Sequence, residues 1–90
     1  MYSPVYTNQF KKDLKLAKRR GKNMLKIKDI MTRLVNGDAL ELKYRDHALI
    51  GNFVERRECH IEPDWLLIYR LVAQEQEIIF ERTGTHSDLF

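Results

Sequence analysis

An imidazole, a carboxylate and an indole fall within six consecutive residues, His60-Ile61-Glu62-Pro63-Asp64-Trp65, where the Pro-Asp pair marks a tight turn between two strands. Side chains at the tip of such a hairpin sit on a short, stiff support of the kind catalytic groups need. The other two histidines are His47 and His86, and Arg82 lies four residues before His86. If the last strand runs beside the strand that begins at Trp65, its Arg82 end returns to the Pro63-Asp64 turn. Two imidazoles can then act as base and acid, because an unperturbed pKa near ~6.5 lets one be neutral and the other charged at cellular pH. An arginine fork can neutralise the added charge of a phosphorane-like transition state. Together these groups are the minimum equipment for cutting RNA without a metal. The base takes the proton of the ribose 2′-hydroxyl, the oxygen attacks the adjacent phosphorus, and the acid protonates the departing 5′-oxygen.

Each of these residues also has a plainer use. A lone histidine in a small domain is more often a surface or hydrogen-bonded residue than a catalyst. Asp64 after Pro63 can simply bond its own backbone in the turn. Trp65 can be core, or a platform on which a base stacks. Arg82 can pair with Glu81 or Glu58, an exposed contact of little worth. The three histidines, Asp64 and Cys59 match no two-residue or four-residue spacing of metal ligands, so no metal is expected. The sequence carries no glycine-rich phosphate loop, nucleophile elbow or paired-carboxylate motif, and no cofactor is expected either.

Several elements must position these groups. Residues Tyr2 to Tyr6 are β-formers interrupted by Pro4, which restricts them to an edge strand. Thr7 or Asn8 can cap a helix whose apolar stripe is Phe10, Leu14 and Ala17, with Lys11, Lys12, Lys15, Lys18 and Arg19 covering the rest. Gly21 suits the left-handed residue that ends it. A second helix from about Asn23 carries Leu25, Ile27, Ile30, Met31, Leu34 and Val35 on a broad apolar face and stops at Asn36-Gly37-Asp38. The pair is expected to form an antiparallel hairpin covering a sheet. Residues 38 to 52 lack periodicity and read as a loop with one turn of helix.

Three strands of a meander are expected at Phe53 to Ile61, Trp65 to Val72 and Glu77 to Thr83. The middle one is apolar almost throughout and should be central. In the last, Arg82 shares the parity of Ile78 and Phe80, so its stem should pack at the rim of the core with its head free. The expected fold is therefore α+β, an antiparallel sheet of about four strands with an amino-terminal helical hairpin packed on it.

Ninety residues make one domain, spanning 1–90, with room for a single core. The longest apolar run is too short to cross a bilayer, the amino terminus has no signal-like pattern, and one cysteine, Cys59, cannot form an internal disulfide. A cytoplasmic protein without a membrane partner is expected. Residues 1–45 carry twelve Lys and Arg against four Asp and Glu, a net of +8, whereas residues 46–90 carry four against nine, a net of −5. Such asymmetry points to an anionic partner for the first half, nucleic acid before all others, with the lysines of the first helix either docking it or forming a solvated face.

Four stretches taken together resemble a known family: Lys-Lys-Asp-Leu-Lys-Leu-Ala in the first helix, Arg45-Asp46-His47-Ala48-Leu49 in the loop, Glu58 to Tyr69 across the hairpin, and Glu81-Arg82-Thr83-Gly84-Thr85-His86-Ser87-Asp88-Leu89-Phe90 at the end. They are similar to the YafQ-like branch of the RelE/ParE bacterial toxins over nearly the whole chain. The resemblance implies a RelE-like fold and a type II toxin that cleaves mRNA on the translating ribosome, inhibits translation and is held inactive by a cognate antitoxin. It also implies His47, His60, Asp64, Arg82 and His86 as the catalytic set, with Phe90 contacting substrate. RelE itself uses basic residues and a tyrosine where this chain has histidines, so these roles come from the YafQ-like branch alone. Trp65, Lys11, Lys12 and Lys15 complete the expected substrate-binding residues. Two other functions fit the same elements: a non-enzymatic toxin of the gyrase-binding ParE type, and a plain RNA-binding module.

Overall fold

The computed structural model describes residues 1–51 and 55–90. Its chain order is β1 (Ser3–Tyr6), α1 (Asn8–Arg19), α2 (Met24–Val35), β2 (His47–Ala48), β3 (Arg57–Glu62), β4 (Trp65–Val72), β5 (Glu77–Gly84) and α3 (His86–Leu89), with 3-10 turns at Leu42–Tyr44 and Ala73–Glu75.

Local chemistry explains both long helices. Thr7 Oγ1 accepts the Phe10 amide at 3.0 Å to start α1, and Asn23 Oδ1 accepts the Leu25 amide at 3.0 Å to start α2. Each ends through a glycine at φ +80, Gly21 and Gly37, a conformation that β-carbon-bearing residues adopt only with strain. The turn lets the next amide reach back, Lys22 to the Ala17 carbonyl at 3.1 Å and Asp38 to that of Arg33 at 2.9 Å. Phe10 and Ala17 on α1 and Ile27, Ile30 and Leu34 on α2 are buried in one core against Cys59, Ile61, Trp65, Leu67, Tyr69, Ile78 and Phe80 of the sheet. Leu25, expected on the apolar face of α2, is exposed instead.

The sheet has five strands in the order β1-β5-β4-β3-β2. It is mixed, not wholly antiparallel: β1 runs parallel to β5, pairing Ser3 with Glu77 through to Tyr6 with Phe80. A chain that leaves β1 by way of two helices can return in the same direction, and Pro4 is tolerated because β1 is an edge. The fold therefore departs from the expected four antiparallel strands in three ways: the parallel edge, the added two-residue strand β2, and a third helix where a tail was expected. The two amino-terminal helices share one face of the sheet, α1 over β5 and α2 over β3. The expected strand from Phe53 begins only at Arg57, and the residues 52–54 lie outside the described ones.

Central β4 is buried on both faces, as its composition requires. Trp65, Leu67 and Tyr69 meet the helices, while Leu66 and Ile68 meet Leu89, with Leu49 beside them, on the other side. Between β4 and β5 the register shifts, so that Tyr69 faces Phe80 and Ile68 faces Arg82. Glu81 is the extra residue of a bulge, and everything after it changes face. Arg82 thus leaves the parity of Ile78 and Phe80, contrary to the simple alternation, and its head is not free.

Arg82 is held by Asp13, a carboxylate that α1 buries within its apolar stripe. Because β1 stops opposite Phe80, the outer edge of β5 beyond that point has no strand partner among the described residues. Asp13 Oδ2 accepts the Thr83 amide at 3.1 Å and Arg82 Nε at 2.8 Å. Thr7 Oγ1 donates to the Glu81 carbonyl at 2.9 Å. Side chains of α1 and its cap thus close the edge. Asp13→Ala should orphan the buried Thr83 amide and cost about 2 kcal/mol of unfolding free energy. Asp13→Asn, which keeps an acceptor there, should cost less. Urea denaturation midpoints of the two variants check this ordering.

Candidate active site

Two rungs of the sheet place the histidines. His47 pairs with Glu58, Glu58 with Ile68, and Ile68 with Arg82; the neighbouring rung joins His60, Leu66 and Gly84. Directly paired residues project to the same side, so all of these lie on the sheet face away from α1 and α2. His86 follows Gly84 by two residues, capped at the start of α3 by Thr85. The outcome is a row in which the His47 and His60 rings are 6.4 Å apart and the His60 and His86 rings 5.7 Å apart, centroid to centroid.

Two carboxylates serve the three rings, Asp64 for His86 and Glu58 for His47 and His60. Asp64 Oδ1 accepts both the His86 backbone amide at 2.9 Å and His86 Nδ1 at 2.6 Å. Those two bonds hold the Asp64 carboxyl below its ordinary range, the amide contributing most. They also fix the proton on Nδ1 and leave Nε2 of the 54% exposed His86 side chain for other work. His47 Nδ1 lies 2.6 Å from the Arg45 carbonyl, which can only accept, and its Nε2 lies 3.1 Å from Glu58 Oε2. The carbonyl makes Nδ1 the donor of that bond, and Nε2 faces the Glu58 carboxyl. His60 Nε2 stands 3.9 Å from the same Glu58 oxygen, and the His60 side chain is only 12% exposed.

Glu58 is the residue the sequence reading missed. Buried between two imidazoles, it is a carboxylate that must be compensated by positive charge or hydrogen bonds. Alternation along β3 already put it on the His60 face; its contact with His47 depends on β2, which no periodicity announced.

The remaining expected residues divide. Arg82 stands on the outer end of the His47 rung with Nε and Nη2 on Asp13, and no described residue bonds Nη1. Phe90, 61% exposed, closes α3 with its amide on the His86 carbonyl at 2.9 Å. Trp65, expected to contact substrate, is a core residue: it is 1% exposed on the helix side, with Nε1 donating to Thr83 Oγ1 at 3.0 Å and Lys22 over its ring. Lys11, Lys12 and Lys15 are exposed on α1, across the sheet from the histidines. Among the described residues no three of His, Cys, Asp and Glu converge as a metal-holding group. Buried Cys59 has its thiol pushed up by burial.

Because β2 pairs with Arg57 and Glu58, the outer edge of β3 beyond them has no strand partner among the described residues. A cleft of 640 Å³ lies there, reaching His60 and lined by the cations Lys26, Lys43 and Arg45, by Tyr44 and by the acids Asp29 and Glu62. Chemically, the whole face offers nitrogen donors and acceptors on fixed rings beside cationic and aromatic side chains. That suits proton transfer at a phosphodiester. No helix of the described residues is long and apolar enough to cross a membrane.

Known proteins share this architecture. The family model described as the bacterial toxin of type II toxin–antitoxin system, YafQ, matches residues 2–90. The mRNA interferase toxin YafQ of Escherichia coli K12 is 48% identical over 86 residues, covering 94% of this chain and 91% of its own. The crystal structure of YafQ from E. coli strain BL21(DE3) superposes with a TM-score of 0.93 at 44% identity, covering 100% of this chain and 99% of the other. The E. coli DinJ-YafQ complex gives 0.92 at 45% identity, with the same coverage.

The Asp64 contacts predict an acid limb. A carboxyl depressed in the folded state adds stability above its unfolded value, near ~3.9, and loses it as pH falls through the lower folded value. The difference in Tm between the parent and Asp64→Asn should therefore be full at pH 6 and shrink as the pH drops below about 4. Thermal scans across that window check it.

Proposed function

Because the chain belongs to the YafQ family of bacterial type II toxin–antitoxin toxins, we propose that it is an mRNA interferase whose cut is made at the histidine row. The protein is an endoribonuclease toxin, as the name of its E. coli relative states for that protein, and a cognate antitoxin is its partner, as DinJ is for E. coli YafQ. The observation that carries the assignment of the site is the His60–His86 pair, with ring centroids 5.7 Å apart on an open face and each ring next to its own carboxylate.

The chemistry follows from who holds each proton. His86 has Nδ1–H on Asp64, so its imidazolium presents Nε2–H outward and is the general acid for the 5′-oxygen. Asp64 holds His86 through Oδ1 and is a positioning group, and His60, beside Glu58, takes the 2′-proton. The 2′-oxygen then forms a bond to phosphorus as the bond to the 5′-oxygen breaks, giving a 2′,3′-cyclic phosphate and a 5′-hydroxyl. Glu58 beside His60 favours the imidazolium that forms there, and His47 contacts Glu58 from its other side. Arg82, oriented by Asp13, turns Nη1 to the phosphate, whose added charge it stabilises.

Substrate binding lies around this row. Phe90, one helical turn from His86, stacks on a base, and the cleft beside His60 continues the strand with Tyr44, Lys43 and Arg45. Lys11, Lys12 and Lys15 face outward from α1, where they dock ribosomal RNA by counterion release. A gyrase-binding toxin or a plain RNA-binding module would have no use for the tethered rings.

A positioned acid is worth on the order of 10²- to 10⁴-fold in rate, so His86→Ala should lose that much mRNA cleavage while keeping the parent's circular dichroism. End analysis of mRNA from a translation extract should find 2′,3′-cyclic phosphate with the parent. Cleavage by His86→Ala at the parent's rate would refute the assignment.

A further inference from the structure

His86 is carried by α3, a helix of four residues. One turn of helix is unstable by itself, because nucleation fixes several dihedrals for a single hydrogen bond. Its place must therefore be set by contacts from outside. Leu89 seats one side on Leu66 and Ile68. The other side is held through Asp88, three residues past the Thr85 cap. Asp88 Oδ2 accepts the Thr85 amide at 2.9 Å, and Thr85 Oγ1 accepts the Asp88 amide at 3.1 Å, a reciprocal capping box. The same carboxylate receives both arms of Arg20, Nη1 at 2.6 Å on Oδ2 and Nη2 at 3.3 Å on Oδ1.

Arg20 is the residue that closes α1, so this fork joins the end of α1 to the start of α3. Gly84 makes room for it. A β-carbon at Gly84 would lie 2.9 Å from both Cβ and Oδ2 of Asp88, closer than such atoms can approach. The Asp88 carboxyl is held well below its usual range, chiefly by Arg20 and then by the Thr85 amide. An ion pair at the surface adds little to global stability. Displacing a reacting group by an ångström, in contrast, lowers the rate steeply. The fork's consequence is geometric.

We propose that Arg20 and Asp88 are positioning residues for His86: their fork anchors α3 to the end of α1 and so aims the His86 ring from Asp64 toward His60. The proposal rests on the reading of His86 as the acid and extends it to two residues outside the histidine row.

The test uses the full-length toxin with Arg20→Met, Arg20→Lys and Asp88→Asn. Arg20→Met should lower kcat for mRNA cleavage about 10- to 100-fold with KM and Tm nearly unchanged, and Arg20→Lys should restore most of it. Asp88→Asn keeps the cap but weakens the fork, and should fall between. Long-range ¹H–¹⁵N spectra of the imidazoles, recorded at a pH high enough to neutralise the rings, read the ring directly: His86 should keep its remaining proton on Nδ1 in the parent and in Arg20→Lys, and mix tautomers in Arg20→Met. The proposal is overturned if Arg20→Met keeps the parent's rate and ring spectrum, or loses rate with the ring unchanged. A parent that cuts no RNA would overturn the functional reading alone, and the ring spectra would still decide the positioning.

Discussion

The register across β4 is the constraint on which the rest depends. Leu66 and Ile68 each pair with a residue on both neighbours, so one strand aligns His60 with Gly84 and Glu58 with Arg82. Burial of β4 on both faces forbids slippage, because a shift of one residue would turn Leu67 and Tyr69 out of the helix-side core and every functional group to the wrong side. Residues as distant in the chain as His47 and His86 come to one row for that reason. The bulge at Glu81 belongs to the same constraint, since without it Arg82 would point among Phe80 and Ile78.

The two sheet faces then take different tasks. One is filled by α1 and α2 and supplies the stability. On the other, among the described residues, Leu49 and Leu89 lie over Leu66 and Ile68 beside the imidazoles. On that face and at its margins the basic groups are steadied by carboxylates: Arg82 by Asp13, His47 by Glu58, His86 by Asp64 and Arg20 by Asp88. The exposed pairs add little stability, yet each pair removes rotational freedom from a ring or cation of the proposed site or, for Arg20, from the helix that carries His86.

Much of this was legible in the chain. A cap at Thr7 or Asn8, a second helix from about Asn23, the stops at Gly21 and Gly37, the central apolar strand and the Pro63-Asp64 hairpin are local signals, and local signals survive folding. The return of the β5 end to that hairpin followed from a meander. What was not legible depends on partners distant in sequence. Nothing in Tyr2 to Tyr6 says that its partner is β5 in parallel, and nothing in Glu81 says that it bulges. Asp13 reads as one more polar position on a basic helix until the uncovered edge of β5 is known to need an acceptor. The expectation that Trp65 contacts substrate fails because a strand apolar on both faces does not reveal which side its first residue takes; the hydrogen bond to Thr83 and burial on the helix side make it core. Helix α3 is too short for any periodicity, so its role in holding His86 emerges only from the bonds around Asp88.

The central claim is that the face bearing His60 and His86 cuts RNA by using the ribose 2′-hydroxyl as nucleophile. The most direct measurement is cleavage of a translated mRNA carrying a single 2′-deoxynucleotide on the 5′ side of the scissile phosphate. The account predicts that this message stays intact at that position while the all-ribose message is cut to a 2′,3′-cyclic phosphate. Cutting of the deoxy-substituted position at the same rate would contradict it.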